Sequence, residues 1–170
     1  MTDLLAIAPL LLPVALAAAT ATAWTRPDIQ QAITLAGTTA LLVISIWLVW
    51  TVVTQGPLAT QPGDWPAPFG ITIFADRLSA AMVLVSGVLA MATVVFARAG
   101  LPETAVEGGF HPLFHGLMLG VNGAFLTGDV FNLYVWFEVM LVCAVGLLML
   151  RRRGAELDGA FKYIALNLFG

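Results

Sequence analysis

Charge is scarce in this sequence: only 10% of its 170 residues are Asp, Glu, Lys or Arg, 60% are hydrophobic, and the mean hydropathy is +0.95. A soluble domain needs far more polar surface, so the composition specifies a polytopic membrane protein in a lipid bilayer. The net charge is −3, and the seven basic residues are scattered except for Arg151, Arg152 and Arg153, which excludes nucleic acid as a partner. Cysteine is almost absent. Cys143 stands alone in an apolar run, so no internal disulfide can form and the residue reads as a small buried hydrophobe. A Gly-rich phosphate loop, a paired-cysteine motif and a nucleophile elbow are all missing, so the residues point to no enzyme chemistry, catalytic residue or cofactor. Function has to come from the membrane part.

Long uncharged runs are what the sequence does have. Residues 4–23 are rich in Leu and Ala and end at Trp24, followed by Arg26, Pro27 and Asp28, which makes a first span with an interfacial anchor. A cleavable signal peptide is the rival there, but the segment opens with Asp3, has no Lys or Arg before its core, and carries two prolines within it. Residues 29–53 form a second span, with Trp47 and Trp50 near its far end. Between residues 55 and 75, Pro57, Pro62, Pro66 and Pro68 alternate with Gly56, Gly63 and Gly70. No continuous helix can run there, and non-helical backbone avoids lipid, so this is an extramembrane loop. Asp76 suits the start of a third span at 78–97, closed by Arg98 and the Gly100-Leu101-Pro102 breaker.

A fourth span covers 108–127, where Gly116, Gly120, Ala124 and Gly128 recur every four residues as a ridge against which another helix can pack closely. A fifth covers 130–150 and stops at the three arginines. A partial sixth, 158–170, reaches about 20 Å and does not cross a hydrocarbon slab about 30 Å thick. The expectation is an all-α, polytopic helical bundle, a single membrane domain over 1–170 with five complete transmembrane helices and a truncated sixth, belonging to a longer protein. Arg26, Arg98 and Arg151 to Arg153 fall on one side of this arrangement and Arg77 near the other, which places the N-terminus outside a cell membrane.

One carboxylate, Glu138, lies inside the fifth span. Nine helical steps from Asp129 put it about 14 Å in, near the bilayer midplane, where an ionisable side chain costs on the order of 2.5 to 3.5 kcal/mol. Such a residue is usually turned inward and used, so Glu138 is the candidate for proton transfer; a neutral, hydrogen-bonded packing role is the alternative. Tyr134 lies one turn before it and Leu141 and Val142 one turn after, a stripe read as the inward face, with Tyr134 either packing or supporting the acid. Lys162 is a candidate supporting cation, or a side chain that snorkels to the interface. Asn122, Thr127 and Asn132 can line a hydrated path or bond between helices. His111 and His115, one turn apart, can be read as a metal pair or pH sensor, yet no third ligand stands at matching spacing and no metal site is expected.

Three segments carry a family likeness: GDWPAPFGITIFADRLSA (residues 63–80), GVNGAFLTGDVFNLYVWFEVML (120–141) and FKYIALNLFG (161–170). They resemble the D-type subunit of the Mrp-type multisubunit cation/proton antiporters, a family related to the antiporter-like subunits of respiratory complex I and of membrane-bound hydrogenases. The resemblance runs from about residue 63 onward, whereas the first two spans match in hydropathy alone. It implies membership of a hetero-oligomer that exchanges protons for sodium or another monovalent cation. It also implies that a glutamate on the fifth helix pairs with a lysine on a later, broken helix. That glutamate falls on Glu138, in Phe137-Glu138-Val139, and the lysine falls beyond residue 170. Where the family pattern has Ser-Tyr after the glutamate, this chain has Ala144 and Val145. A proton-pumping subunit of a complex I-like or hydrogenase machine is the second implication, and a structural membrane fragment without transport is the alternative from another class.

Overall fold

A computed structural model describes residues 2–63, 65, 69–150, 159 and 162–167. In chain order the elements are α1 (Thr2–Thr22), α2 (Pro27–Gln55), β1 (Leu58–Thr60), β2 (Ile73–Ala75), α3 (Arg77–Gly100), α4 (Glu103–Glu107), α5 (Phe110–Leu126) and α6 (Val130–Leu148). By length and composition α1, α2, α3 and α6 are long and apolar enough to cross a membrane. At 17 residues α5 spans about 25 Å, the lower end of what crossing requires. It is nonetheless the hub of the bundle, packing on α1, α3 and α6, while α2 packs on α1 and α3.

Polar and apolar side chains share the buried faces of this bundle, Leu41, Leu48 and Val52 of α2 among them. The buried face of α2 carries Thr34, Thr38, Ser45 and Thr51, while Val43, Ile46, Trp47, Trp50 and Val53 point outward. Lipid tails solvate large apolar side chains as well as a protein core does, so the interface between helices is left to small groups that allow close approach. These buried hydroxyls find local acceptors. Thr38 donates to Thr34 O at 2.8 Å, Ser45 to Leu41 O at 2.7 Å and Thr51 to Trp47 O at 2.9 Å. Gly87 of α3 faces Ser45, and a Cβ there would sit 3.2 Å from Ser45 Oγ.

The two prolines of α1 do not end it; the helix runs through both. Pro13 has no N–H to give the carbonyl four residues back, that of Pro9. Asn122 of α5 supplies the missing donor: its Nδ2 bonds Pro9 O at 3.1 Å, while its Oδ1 accepts from Ser86 Oγ of α3 at 2.5 Å. One buried amide thus ties three helices together, which is an interhelical bonding role for Asn122.

The described residues between Gly56 and Ala75 are non-helical, as the proline and glycine pattern requires, but they also contain a short antiparallel hairpin pairing Leu58 with Ala75 and Thr60 with Ile73. Three-residue strands are too short to announce themselves by alternation. Ile73 and Ala75 are buried, Ile73 also bridges to Thr127, and Gly128 N–H donates to Thr72 O at 2.9 Å, so the hairpin clasps the turn between α5 and α6. Asp76 starts α3 through a capping box, its Oδ1 accepting from Ser79 N–H and Ser79 Oγ accepting from Asp76 N–H, both at 2.8 Å. The Ser79 N–H, and the Ser79 hydroxyl donating to the same Oδ1 at 2.7 Å, hold the Asp76 carboxyl below its ordinary pKa.

Several sequence expectations are corrected in detail. The fourth helix begins at Phe110 rather than 108, because α4 and the left-handed Gly109 precede it. Gly128 lies past the end of α5 and so is not part of the helical ridge. Arg151 to Arg153 and most of the sixth stretch lie outside the described residues, of which 162–167 are helical.

Candidate functional site

The geometry around Glu138 is set first by the turn that launches α6. Asp129 caps this helix, its Oδ1 accepting from Phe131 N–H at 3.0 Å, and Thr127 Oγ1 accepts from Asn132 Nδ2 at 3.1 Å. Thr127 and Asn132 are therefore engaged in the turn. From this fixed start, nine residues at about 1.5 Å each carry the chain to Glu138.

Glycines then set how α6 lies. A Cβ on Gly116 would stand 2.6 Å from Cys143 Sγ, and one on Gly120 would stand 3.0 Å from Met140 N and 3.1 Å from Trp136 O, both backbone atoms. Gly123 extends the contact and receives the indole of Trp136, so a Cβ there would overlap the ring. The close approach read from Gly116 and Gly120 is present, and its partner surface is Trp136, Met140 and Cys143. Neither the part of Gly123 nor the partner residues were legible from four-residue spacing, although three glycines facing an indole, a methionine and a thiol form a recognisable small-to-large pattern.

With that face of α6 committed to α5, the stripe of Tyr134, Glu138 and Val142 points away from it. Tyr134 is 62% and Val142 66% exposed, Phe131 and Phe137 flank them and are exposed too, and Glu138 is half-buried. Tyr134 lies one turn before Glu138 on this stripe, near enough for its phenol and the Glu138 carboxyl to interact. Val145, where the resemblance implied a polar residue, is buried, and Ala144 beside it is half-buried. Lys162 is exposed in the helical stretch 162–167.

His111 and His115 are both buried, at 5% and 1% exposure, and both address one hydroxyl: Thr34 Oγ1 lies 2.9 Å from His111 Nδ1 and 3.1 Å from His115 Nε2. Sequence spacing put the two rings on one face of α5 but gave no sign of Thr34, 77 and 81 residues away. Among the described residues no group of three His, Cys, Asp or Glu side chains is placed to hold a metal.

No family model matches the chain. Individual relatives do. The chain is 35% identical over 142 residues to the D subunit of a Na(+)/H(+) antiporter of Alkalihalophilus pseudofirmus, covering 84% of this chain and 29% of the relative. It is 40% identical to the D subunit of a probable K(+)/H(+) antiporter of Rhizobium meliloti, covering 98% of this chain and 32% of the relative. Among solved structures, the Mrp complex from Dietzia sp. DQ12-45-1b matches with a TM-score of 0.87 at 27% identity, over 99% of this chain and 32% of that one. The membrane-bound sulfane sulfur reductase, an archaeal respiratory membrane complex, matches with a TM-score of 0.89 at 25% identity, over 95% and 33%. The chain thus spans about a third of the length of the relatives it matches. Over that length, the apolar helices, the close α5–α6 seam and these identities agree: the chain is a multi-pass membrane protein that belongs to the family of D-type subunits of Mrp-type cation/proton antiporters.

Proposed function

We propose that this chain forms part of a monovalent cation/proton antiporter and that Glu138 carries the proton. The observation that supports this most is the placement of Glu138. It lies about 14 Å along α6 from Asp129, on the face that α5 leaves open, with Tyr134 one turn before it on the same stripe. A carboxyl in low dielectric favours its neutral form, and an approaching ammonium favours the charged form, so movement of a partner cation loads or releases one proton. The open stripe is where such a cation-bearing element docks. Tyr134 holds the carboxyl rotamer and donates to it when it is ionised. The exchanged ion is an alkali cation, sodium first, and the chain works in a hetero-oligomer with other antiporter subunits in the cell membrane. In this reading α5 is the fourth crossing and α6 the fifth, the N-terminus and the hairpin face outside, and α4 faces the cytoplasm.

A second reading, an antiporter-like subunit of a respiratory complex, is favoured by the fold likeness to the archaeal membrane complex. Everted vesicles carrying the complete assembly separate the two. Proton movement driven by added sodium or potassium, with no redox donor present, supports the antiporter. Proton movement that requires a redox donor supports the second reading.

A further inference from the structure

At the end of the bundle opposite the hairpin, a recess of about 500 Å³ lies between the start of α2, the end of α3, α4 and the start of α5. Its walls carry Asp28 from α2, Arg98 from α3, Glu103 and Glu107 from α4, and His111 from α5. Arg26, at the N-cap of α2, is a further charged group at this end. The recess mixes these charged groups with apolar side chains such as Val94, Leu101 and Phe110, contains room for water, and has His111 in its wall. The inner side of that ring, Nδ1, meets Thr34 Oγ1, and Thr34 Oγ1 meets His115 Nε2 one helical turn deeper.

A threonine hydroxyl has one hydrogen and can accept from a second donor, so it serves two imidazole nitrogens only if one ring donates to it and the other accepts from it. The arrangement is directional. The neighbouring hydroxyl, that of Thr38, donates to the α2 carbonyls Thr34 O and Leu35 O, which leaves the Thr34 hydroxyl to the two rings. Phe110 stacks on Phe114 and both make edge contacts with the histidines, which walls the pair off from lipid. A buried histidine that only filled space would need a single partner; here two rings, both within the first two turns of α5, converge on one hydroxyl.

We propose that His111, Thr34 and His115 form a proton relay that opens to water through this recess, a second protonation site separate from Glu138. The inference rests on the antiporter reading for its purpose but not for its chemistry. The relay starts with Nδ1–H of His111 donating to Thr34 and the Thr34 hydroxyl donating to His115 Nε2. A proton from recess water binds His111 Nε2. The Nδ1 proton then passes to Thr34 Oγ1 while the original hydroxyl hydrogen passes to His115 Nε2. His111 ends neutral, Thr34 is again a hydroxyl, and His115 holds the one proton gained. No heavy-atom bond changes and no co-reactant is needed; the site resets by the reverse passage, in which His115 Nε2 returns its proton to Thr34, the Thr34 hydroxyl hydrogen returns to His111 Nδ1, and His111 Nε2 releases a proton to recess water. Asp28, Glu103 and Glu107 favour arrival of the proton, and Arg98 and Arg26 oppose it.

Two measurements on the complete assembly test the relay. In the first, histidine-selective ¹⁵N labelling is read by solid-state NMR from about pH 3 to about pH 9. The relay predicts that the rings of His111 and His115, assigned by loss of signal in His111→Gln and His115→Gln, change protonation state as the pH falls; rings fixed in one neutral tautomer throughout overturn it. In the second, cation/proton exchange and its pH profile are compared for Thr34→Val and Thr34→Ser. Loss of the hydroxyl in Thr34→Val is expected to slow exchange per assembled complex by at least about tenfold and to alter the pH profile, with Thr34→Ser restoring both. Equal, pH-independent behaviour of the Val and Ser variants marks a structural hydrogen bond and overturns the relay. Because the NMR titration does not depend on exchange, a silent Glu138→Gln with titrating histidines contradicts only the antiporter role of Glu138. An inactive Glu138→Gln with fixed histidines contradicts only the relay.

Discussion

Gly120 of α5 lies so close to α6 that a methyl group added to it would stand 3.0 Å from the backbone nitrogen of Met140. Backbone cannot rotate away as a side-chain tip can, so Gly120→Leu must push the helices apart. Overpacking of this kind costs about 1–3 kcal/mol or more. The expected outcome is a lower thermal transition in detergent and a lower assembled yield; an unchanged transition contradicts the packed seam.

Asn122 compensates for a proline. Asn122→Ala leaves Pro9 O without its donor, and an unsatisfied buried carbonyl costs about 1–3 kcal/mol. In a Pro13→Ala background the chain regains an N–H four residues on from Pro9, so the same Asn122→Ala change is expected to cost less. A double-mutant cycle on unfolding in detergent measures the difference, and equal costs in both backgrounds contradict the assignment.

The capping box gives a pH dependence. Asp76 has a folded-state pKa below its ordinary value, so ionised Asp76 contributes stability that is complete above the ordinary aspartate pKa and is lost as pH falls through the lower folded value. Asp76→Ala is therefore expected to lower the thermal transition at neutral pH and to narrow its difference from the unmodified protein at strongly acid pH. A constant difference across that window removes the carboxylate as the source of the cap's stability.

Orientation is testable by labelling. In a background lacking Cys143, Ala59→Cys on the hairpin is expected to react with an impermeant thiol reagent added outside, and Thr104→Cys on α4 only after the membrane is opened. The reverse pattern places the recess outside and reverses the direction of the proposed relay.

Much of this architecture was legible because hydropathy and breakers are local signals. The uncharged runs marked the helices to within a few residues, the Pro and Gly spacing marked the loop, and Asp76 marked a helix start. What stayed hidden depends on contacts between distant segments. Two prolines stand in the first span, and only Asn122, more than a hundred residues later, shows what replaces the donor that Pro13 lacks. The histidines could be placed on one face by spacing, whereas Thr34 between them is a product of packing α2 against α5. Glu138 could be found by depth alone, but that its stripe faces away from α5 follows from which side of α6 the glycines of α5 accept.

The central claim is that Glu138 carries the proton, and the most direct test is Glu138→Gln within the complete assembly. The amide keeps the shape and most of the hydrogen-bonding capacity of a glutamic acid, including an acceptor for Tyr134, but cannot gain or lose a proton in the working range. Dye-quench antiport in everted vesicles, normalised to the amount of assembled complex, is the measurement. Near-complete loss of exchange with normal insertion, and partial activity in Glu138→Asp, is the predicted result. Full exchange by the Gln variant would contradict the proton-carrier role and leave Glu138 as a neutral packing residue.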